Sequence, residues 1–311
     1  MVANQVFVKT TVYMLLTLGI GYALRKAKLL GEDEGALSKY VIYVAMPALV
    51  LSNLSSVNLD LKLLRVLLTY LLSMAVISSL IYLAGRVMGS ERSSIYLFIL
   101  TANFSNAGFF GIPFISITFS ELEALQLSII LCMATLIPSS ILCFLLLESL
   151  REGGSLGGAL IRTMRSPLMA SVVAAIIINL TGLKIPKELA FVLDSLGATA
   201  SPLALVSVGT SLTISGPISI REQAILINLR AFLSPMISML IGLLAGLYST
   251  ELSVLVLMSA MPAAVLLGVF SNEYDFHRNV VSSLITISSL AAPLYLNIWL
   301  YLLKLLAISP A

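Results

Sequence analysis

Apolar residues follow one another along this chain in blocks of about 20, the length a helix needs to cross a hydrocarbon core about 30 Å thick. Ten blocks stand out: 6–24, 36–55, 63–85, 94–118, 124–148, 168–183, 189–212, 223–247, 251–271 and 280–306. The gaps between them are short, which predicts antiparallel neighbours. One longer polar segment, Glu148–Ser166, carries Gly153, Gly154, Gly157 and Gly158 and separates five blocks from five. The expected organisation is a first five-helix repeat over 1–150, a Gly-rich linker over 151–166 and a second repeat over 167–311. The fold class that follows is an all-α polytopic membrane protein. Composition agrees: 59% of the 311 residues are hydrophobic and 11% charged, against about 25% charged in a soluble protein.

Two blocks do not read as ordinary membrane helices. Within the fourth, Leu100–Phe119 reads LTANFSNAGFFGIPFISITF. Asn103 and Asn106, three apart, are predicted to share one helix face. Gly108, Gly111 and Pro113 are predicted to interrupt that helix, with the Pro113 ring pressing on the Phe109 carbonyl. The ninth block contains SAMPAAVLLGVFSNEYDF, Ser259–Phe276, where Pro262 disturbs the carbonyl of Met258 and Ala263, Ala264 and Gly268 allow close approach. Broken backbone at membrane depth survives only inside protein or along a cavity. Paired discontinuous spans in corresponding places of two halves point to a transporter's binding site, and half-helix N-termini there favour an anion. The predicted substrate-binding set is Asn103, Ser105, Asn106, Gly108, Gly111, Pro113, Met261, Pro262 and Ala263. No catalytic or metal-binding residue is predicted.

Five spans per half make the second half enter from the opposite side, an inverted repeat. An offset of 155 residues superimposes Pro47 on Pro202 and Pro138 on Pro293, but places Pro262 on Ala107, six short of Pro113. With the N-terminus outside, eleven Lys and Arg fall on the inner side and six on the outer; Arg230, inside the eighth block, belongs to neither. The positive-inside rule then puts both termini outside the cell membrane.

The stretches VIYVAMPALVLSNL (Val41–Leu54), NFSNAGFFGIP (Asn103–Pro113), SPLALVSVGTSL (Ser201–Leu212) and MPAAVLLGVFSNEYDF (Met261–Phe276) resemble the auxin efflux carrier family, which takes in plant PIN proteins and prokaryotic permeases annotated for malate and malonate. The resemblance covers nearly the whole chain. It implies the inverted-repeat fold of bile-acid symporters and sodium–proton antiporters, a crossover of spans 4 and 9, and an elevator motion. Where the family carries an asparagine just beyond the span 9 proline, this chain has Val265–Leu266, which leaves that half-site less polar.

The function expected is secondary transport of a small organic anion, auxin-like or a dicarboxylate. The other readings are a sodium- or proton-coupled antiporter and a non-transporting receptor. An antiporter needs carboxylates near the crossover; Asn103–Pro113 and Pro262–Val269 contain none. An enzyme needs a nucleophile, base or metal cluster. His277 is the single histidine, and Cys132 and Cys143 lie eleven residues apart, about 16 Å along one helix. No GxxxxGK[ST] loop occurs. No cofactor is expected beyond a coupling Na⁺ or H⁺. The partners expected are the anion and the bilayer, with a homodimer left open; a net charge of +3 offers nucleic acid nothing. Among lesser features, Pro47, Pro138, Pro202, Pro235 and Pro293 read as kinks. Ser207, Gly209, Thr210 and Ser211 read as a packing face, Lys39 and Asp194 as interfacial, and Trp299 and Tyr301 as an interfacial belt.

Overall fold

The computed structural model describes residues 2–29, 36–55, 61–150, 167–212 and 219–306. Among these, regular structure is helical apart from one isolated β-bridge. Helices α1 (Val2–Lys26), α2 (36–54), α3 (Leu61–Val87), α5 (Leu122–Glu148), α6 (Pro167–Thr181), α8 (Ile220–Leu244) and α10 (Arg278–Leu305) follow the apolar blocks. The fourth and ninth blocks are each divided, α4a (Arg92–Asn103) from α4b (Ala107–Thr118) and α9a (Ser249–Ser259) from α9b (Val265–Glu273), while α7 runs through a one-residue irregularity at Thr199, where helical φ and ψ persist, from α7a (Lys187–Ala198) into α7b (Ala200–Ser211). Among the described residues, five stretches are long and apolar enough to cross a membrane: Leu61–Val87, Leu122–Leu147, Lys187–Thr210, Ile220–Leu244 and Arg278–Leu305. The linker 151–166 lies outside the described residues.

Helix α3 shows what solvent the molecule is built for. It turns Leu64, Leu68, Leu72, Leu80 and Leu83 outward and buries Thr69, Tyr70 and Ser73. A soluble helix does the reverse. Leucine outside with hydroxyls inside is the arrangement hydrocarbon selects, since hydroxyls then find partners only within the protein. Thr69 donates to Arg65 O, Ser73 to Thr69 O, and the Tyr70 hydroxyl bonds that of Thr135 at 2.6 Å.

The largest packing contacts fall into two sets, which also meet each other where α7b and α1 lie against α4b and α1 against α10. In one, α1 lies on α7b, and α2 on α6 and α7a. In the other, α3 packs on α4a and α8, α8 on α9a, α9a on α5, and α10 on α9a and α9b. At one end of the second group, Lys62 bridges Glu123 and Glu251 at 2.8 Å each. Small residues set the spacing within the first. A Cβ on Gly209 would come within 3.0 Å of Gly21 Cα and nearer still to backbone of Leu18. Of the packing face read at Ser207, Gly209, Thr210 and Ser211, Gly209 makes a glycine-to-glycine contact with Gly21 between α7b and α1.

Three prolines act by widening the turn before them. π turns occupy Val41–Ala45, Ala107–Gly111 and Leu229–Leu233, and each ends two residues before a proline: Pro47, Pro113 and Pro235. The residue preceding each proline donates its N–H five residues back, Met46 to Val41, Ile112 to Ala107 and Ser234 to Leu229. The extra residue relieves the clash between the ring and the carbonyl four back, so the helix continues instead of stopping. Pro138 and Pro293 are absorbed inside α5 and α10.

Proline also removes a donor, and at Pro235 the loss falls on Ala231 O. Trp299 answers it: its indole N–H donates to that carbonyl at 2.7 Å, and the ring is 4% exposed. Trp299 is thus a core residue and not part of an interfacial belt, whereas Tyr301, two positions on, is 60% exposed. Trp299→Phe should leave the Ala231 carbonyl unpaired and cost about 1–3 kcal/mol. The unfolding midpoint in detergent is expected to fall by several degrees, with Tyr301→Phe unchanged; equal midpoints would remove the role given to Trp299.

Candidate functional site

Helix α4a ends at Asn103, and the chain turns at once. Phe104, at φ −88° and ψ 82°, is the centre of an inverse γ-turn in which Ser105 N–H reaches Asn103 O at 3.1 Å. Helix α9a ends at Ser259, and Ala264 is extended at φ −70°, ψ 136°. The two interruptions cross and pair with each other. Asn106 N–H donates to Pro262 O at 2.8 Å, Ala264 N–H donates to Phe104 O at 3.0 Å, and Ser105 stands opposite Ala263. Neighbouring helices satisfy what remains: Ser139 of α5 donates to Asn103 O at 2.9 Å, and Ser288 of α10 accepts from Ala263 N at 3.2 Å.

On one side of the crossing lie the C-terminal ends of α4a and α9a. Between them sits Arg230 of α8, inside the π turn Leu229–Leu233 and 2% exposed. Its Nε donates to Met261 O at 2.6 Å and its Nη1 to Ala102 O, while Nη2 has no partner. Asn103 is on this side. Its Nδ2 donates to Ser78 Oγ and Ile99 O at 2.9 Å each, and its Oδ1 is buried and unpaired. Tyr70, Asn103, Arg230, Ser234, Ser238 and Ser259 line a cavity of about 10 Å³, room for one water.

On the other side lie the N-terminal ends of α4b and α9b. No side chain caps either of them. They meet at a cavity of about 90 Å³ whose polar lining includes Ser105, Asn106 and Thr135 and whose walls include Ile42, Met46 and Leu136. Ser105 Oγ and Asn106 Nδ2 are both buried there without a hydrogen-bond partner, the two residues being 6% and 3% exposed. The Asn106 carbonyl is used, accepting from Phe110 N at 3.1 Å and Gly111 N at 3.0 Å. Uncapped N–H groups, the positive ends of two helix dipoles and two unpaired side-chain donors make this face an acceptor of negative charge. Among the described residues no three His, Cys, Asp or Glu cluster as for a metal.

The predicted residues are thus brought to one crossing but not to one surface. Ser105, Asn106 and Gly108 line the larger cavity. Asn103 faces the opposite side, because the helix stops between the two asparagines and the shared face expected of them does not exist. The break lies at 104–106, ahead of the glycines, and Pro113 is the second residue of the segment after the π turn, buried and away from either cavity. Gly111 faces Met258 and Met261. Met261 contributes its carbonyl to Arg230, and Pro262 and Ala263 contribute backbone to the pairing. Arg230 was not among the predicted site residues, although a lone arginine in the middle of an apolar block carries its own signal, since intramembrane charge defaults to function.

The two glycines of α4b should respond differently to a methyl group. A Cβ on Gly108 would meet Cys132 Sγ at 3.4 Å and Met46 Cε at 3.7 Å, ordinary contacts, whereas on Gly111 it would meet Met258 Sδ at 2.9 Å and Met261 Cγ at 3.2 Å. Gly108→Ala is expected to keep the wild-type unfolding midpoint while narrowing the cavity. Gly111→Ala should cost about 1 kcal/mol of stability, the low end of overpacking, because the Met258 thioether that must move is the far end of a flexible side chain; midpoints in the reverse order would contradict the crossing geometry.

The membrane transport protein family matches this chain over residues 6–156 and 155–300. The chain is similar to an uncharacterized transporter of Methanothermobacter thermautotrophicus, 28% identical over 298 residues that cover 94% of this chain and 96% of that protein. An uncharacterized transporter of Methanocaldococcus jannaschii is 25% identical over 300 residues, covering 93% and 96%.

Proposed function

The chain belongs to the membrane transport protein family, that of the auxin efflux carriers, and within it we propose a secondary transporter that carries a small organic anion by alternating access at the crossing of α4 and α9. The observation that carries the proposal is the pair of unpaired buried donors, Ser105 Oγ and Asn106 Nδ2, at the uncapped N-termini of two half-helices. Each N-terminus presents about half a positive charge, so together they balance one carboxylate. The walls from Ile42, Met46 and Leu136 suit an apolar body. A second carboxylate would meet those walls unpaired, which favours an auxin-like monocarboxylate over a dicarboxylate.

In this reading the ten helices are ten spans of a five-plus-five inverted repeat with both termini outside, and each half supplies one broken helix. The packing of α3 on α4a is matched by that of α8 on α9a. The group holding α3, α4, α5, α8, α9 and α10 would move as the elevator against α1, α2, α6 and α7. With no carboxylate at the crossing, the membrane potential suffices to drive a monoanion. It supplies about 2.3 kcal/mol per charge per 100 mV, roughly a fiftyfold gradient.

Flux into proteoliposomes tests the site. Monocarboxylates and dicarboxylates are offered under imposed potential, sodium and proton gradients. Ser105→Ala and Asn106→Ala should each weaken apparent affinity by about ten- to a hundredfold, as loss of a donor to a charged group does, and Asn103→Ala should do less. Wild-type flux from a folded Ser105→Ala, Asn106→Ala double variant refutes the site. Orientation is checked separately: a cysteine placed by Ser155→Cys should react with an impermeant maleimide only after the cytoplasmic side is opened, and labelling in intact cells reverses the topology.

A further inference from the structure

The same crossing carries a second electrostatic feature, on the face turned away from the anion cavity. In broken-helix transporters, unwound carbonyls and half-helix C-terminal ends are the groups that coordinate Na⁺. Here the corresponding groups, Ala102 O in the last turn of α4a and Met261 O just beyond α9a, both accept from Arg230. We propose that the Arg230 guanidinium is a tethered cation that fills a sodium-type site between the two C-terminal ends.

Charge balance supports this. Each helix C-terminus presents about half a negative charge, so the two ends together match one guanidinium. No carboxylate pairs with Arg230 among the described residues. A buried charge without opposite charge costs several kcal/mol, and the two dipole ends are the opposite charge within reach. Arginine suits the task because its planar fork addresses two acceptors at once and it keeps its proton in proteins. The surroundings are those of a hard-cation site. Besides the two carbonyls, Ser234 Oγ lies at 3.5 Å from Ala102 O, and the unpaired Asn103 Oδ1 lines the same small cavity. Taking away the guanidinium frees the Ala102 and Met261 carbonyls of it, and these, with Ser234 Oγ and Asn103 Oδ1 beside them, are the oxygens a hard cation would find there.

The inference rests on the crossover geometry and deepens the transport reading by naming what stands in place of a coupling ion. Its test reads stability, so it stands or falls independently of any substrate. Purified wild type, Arg230→Lys and Arg230→Ala are unfolded thermally in sodium, potassium and choline chloride at equal ionic strength. Wild type and Arg230→Lys, each holding a cation of its own, should show the same midpoint in all three salts. Arg230→Ala should unfold earlier in choline and regain stability specifically in sodium, with a rise of about 3 °C once sodium is near tenfold its dissociation constant. A sodium-specific rise in wild type overturns the proposal. So does an Arg230→Ala chain that gains nothing from sodium, whether it melts alike in every salt or fails to fold in any.

Discussion

A helix that stops inside hydrocarbon leaves N–H groups at one new end and C=O groups at the other, and each costs several kcal/mol if nothing pairs with it. This chain stops two helices at one point, and much of the surrounding structure answers that constraint. Two of the exposed groups on each strand are paired by laying the breaks across each other, Asn106 on Pro262 and Ala264 on Phe104. Such contact needs small neighbours, which Ala263 and Gly111 are. Hydroxyls from α5 and α10 and the guanidinium of α8 take further groups. A proline at 262 is well placed, since its carbonyl accepts in the pairing while the N–H it lacks is never asked for.

Crossing two broken helices sorts their ends by sign. Both C-termini fall on one side and both N-termini on the other, so one face attracts cations and its opposite attracts anions. The chain closes the first with its own side chain and leaves the second uncapped. How Arg230 reaches its place goes back to Pro235. The π turn that accommodates this proline inserts a residue into α8 and changes the helical phase at Arg230. It also frees the carbonyl that Trp299 takes. A proline, a tryptophan 64 positions later and the charge at the crossing are therefore parts of one local solution.

Block length and composition read the helices from the sequence well, because about 20 apolar residues in hydrocarbon leave the backbone few alternatives. That the fourth and ninth blocks are broken was also legible, from Asn103–Pro113 and Pro262. The position of the fourth break was not. Proline and glycine suggested 108–113, but a π turn absorbs Pro113, and the true break at 104–106 is set by pairing with residues some 160 positions away. Helical spacing put Asn103 and Asn106 together on the premise of an unbroken helix; the break between them sends one to each face. Trp299 was assigned to the bilayer surface from its place near a helix end, and the acceptor that draws it inward lies on α8, which no local pattern reveals. Arg230 was visible as a charge in an apolar block, yet its carbonyl partners come from two other helices.

The hydrogen bonds that hold the crossing all come from one group of helices: Ser78 from α3, Ser139 from α5, Arg230 from α8 and Ser288 from α10. Among the described residues none comes from α1, α2, α6 or α7. The larger cavity is different, because Ile42 and Met46 in its wall belong to α2. It lies at the border between the two packing groups, while the crossing is wholly internal to one. A sliding of one group past the other would therefore exchange the cavity's outer wall without breaking a single bond at the crossing. Backbone hydrogen bonding is concentrated where the helices are interrupted. Around the cavity the border is lined by apolar side chains, Ile42 and Met46 from one group and Phe109 and Leu136 from the other, while elsewhere hydrogen bonds cross it, Asn297 Nδ2 to Thr11 Oγ1 at 3.1 Å and Gln126 Nε2 to Asn53 O at 3.3 Å. The apolar part of this border can be remade at a new register at little cost, as the proposed alternating access would require.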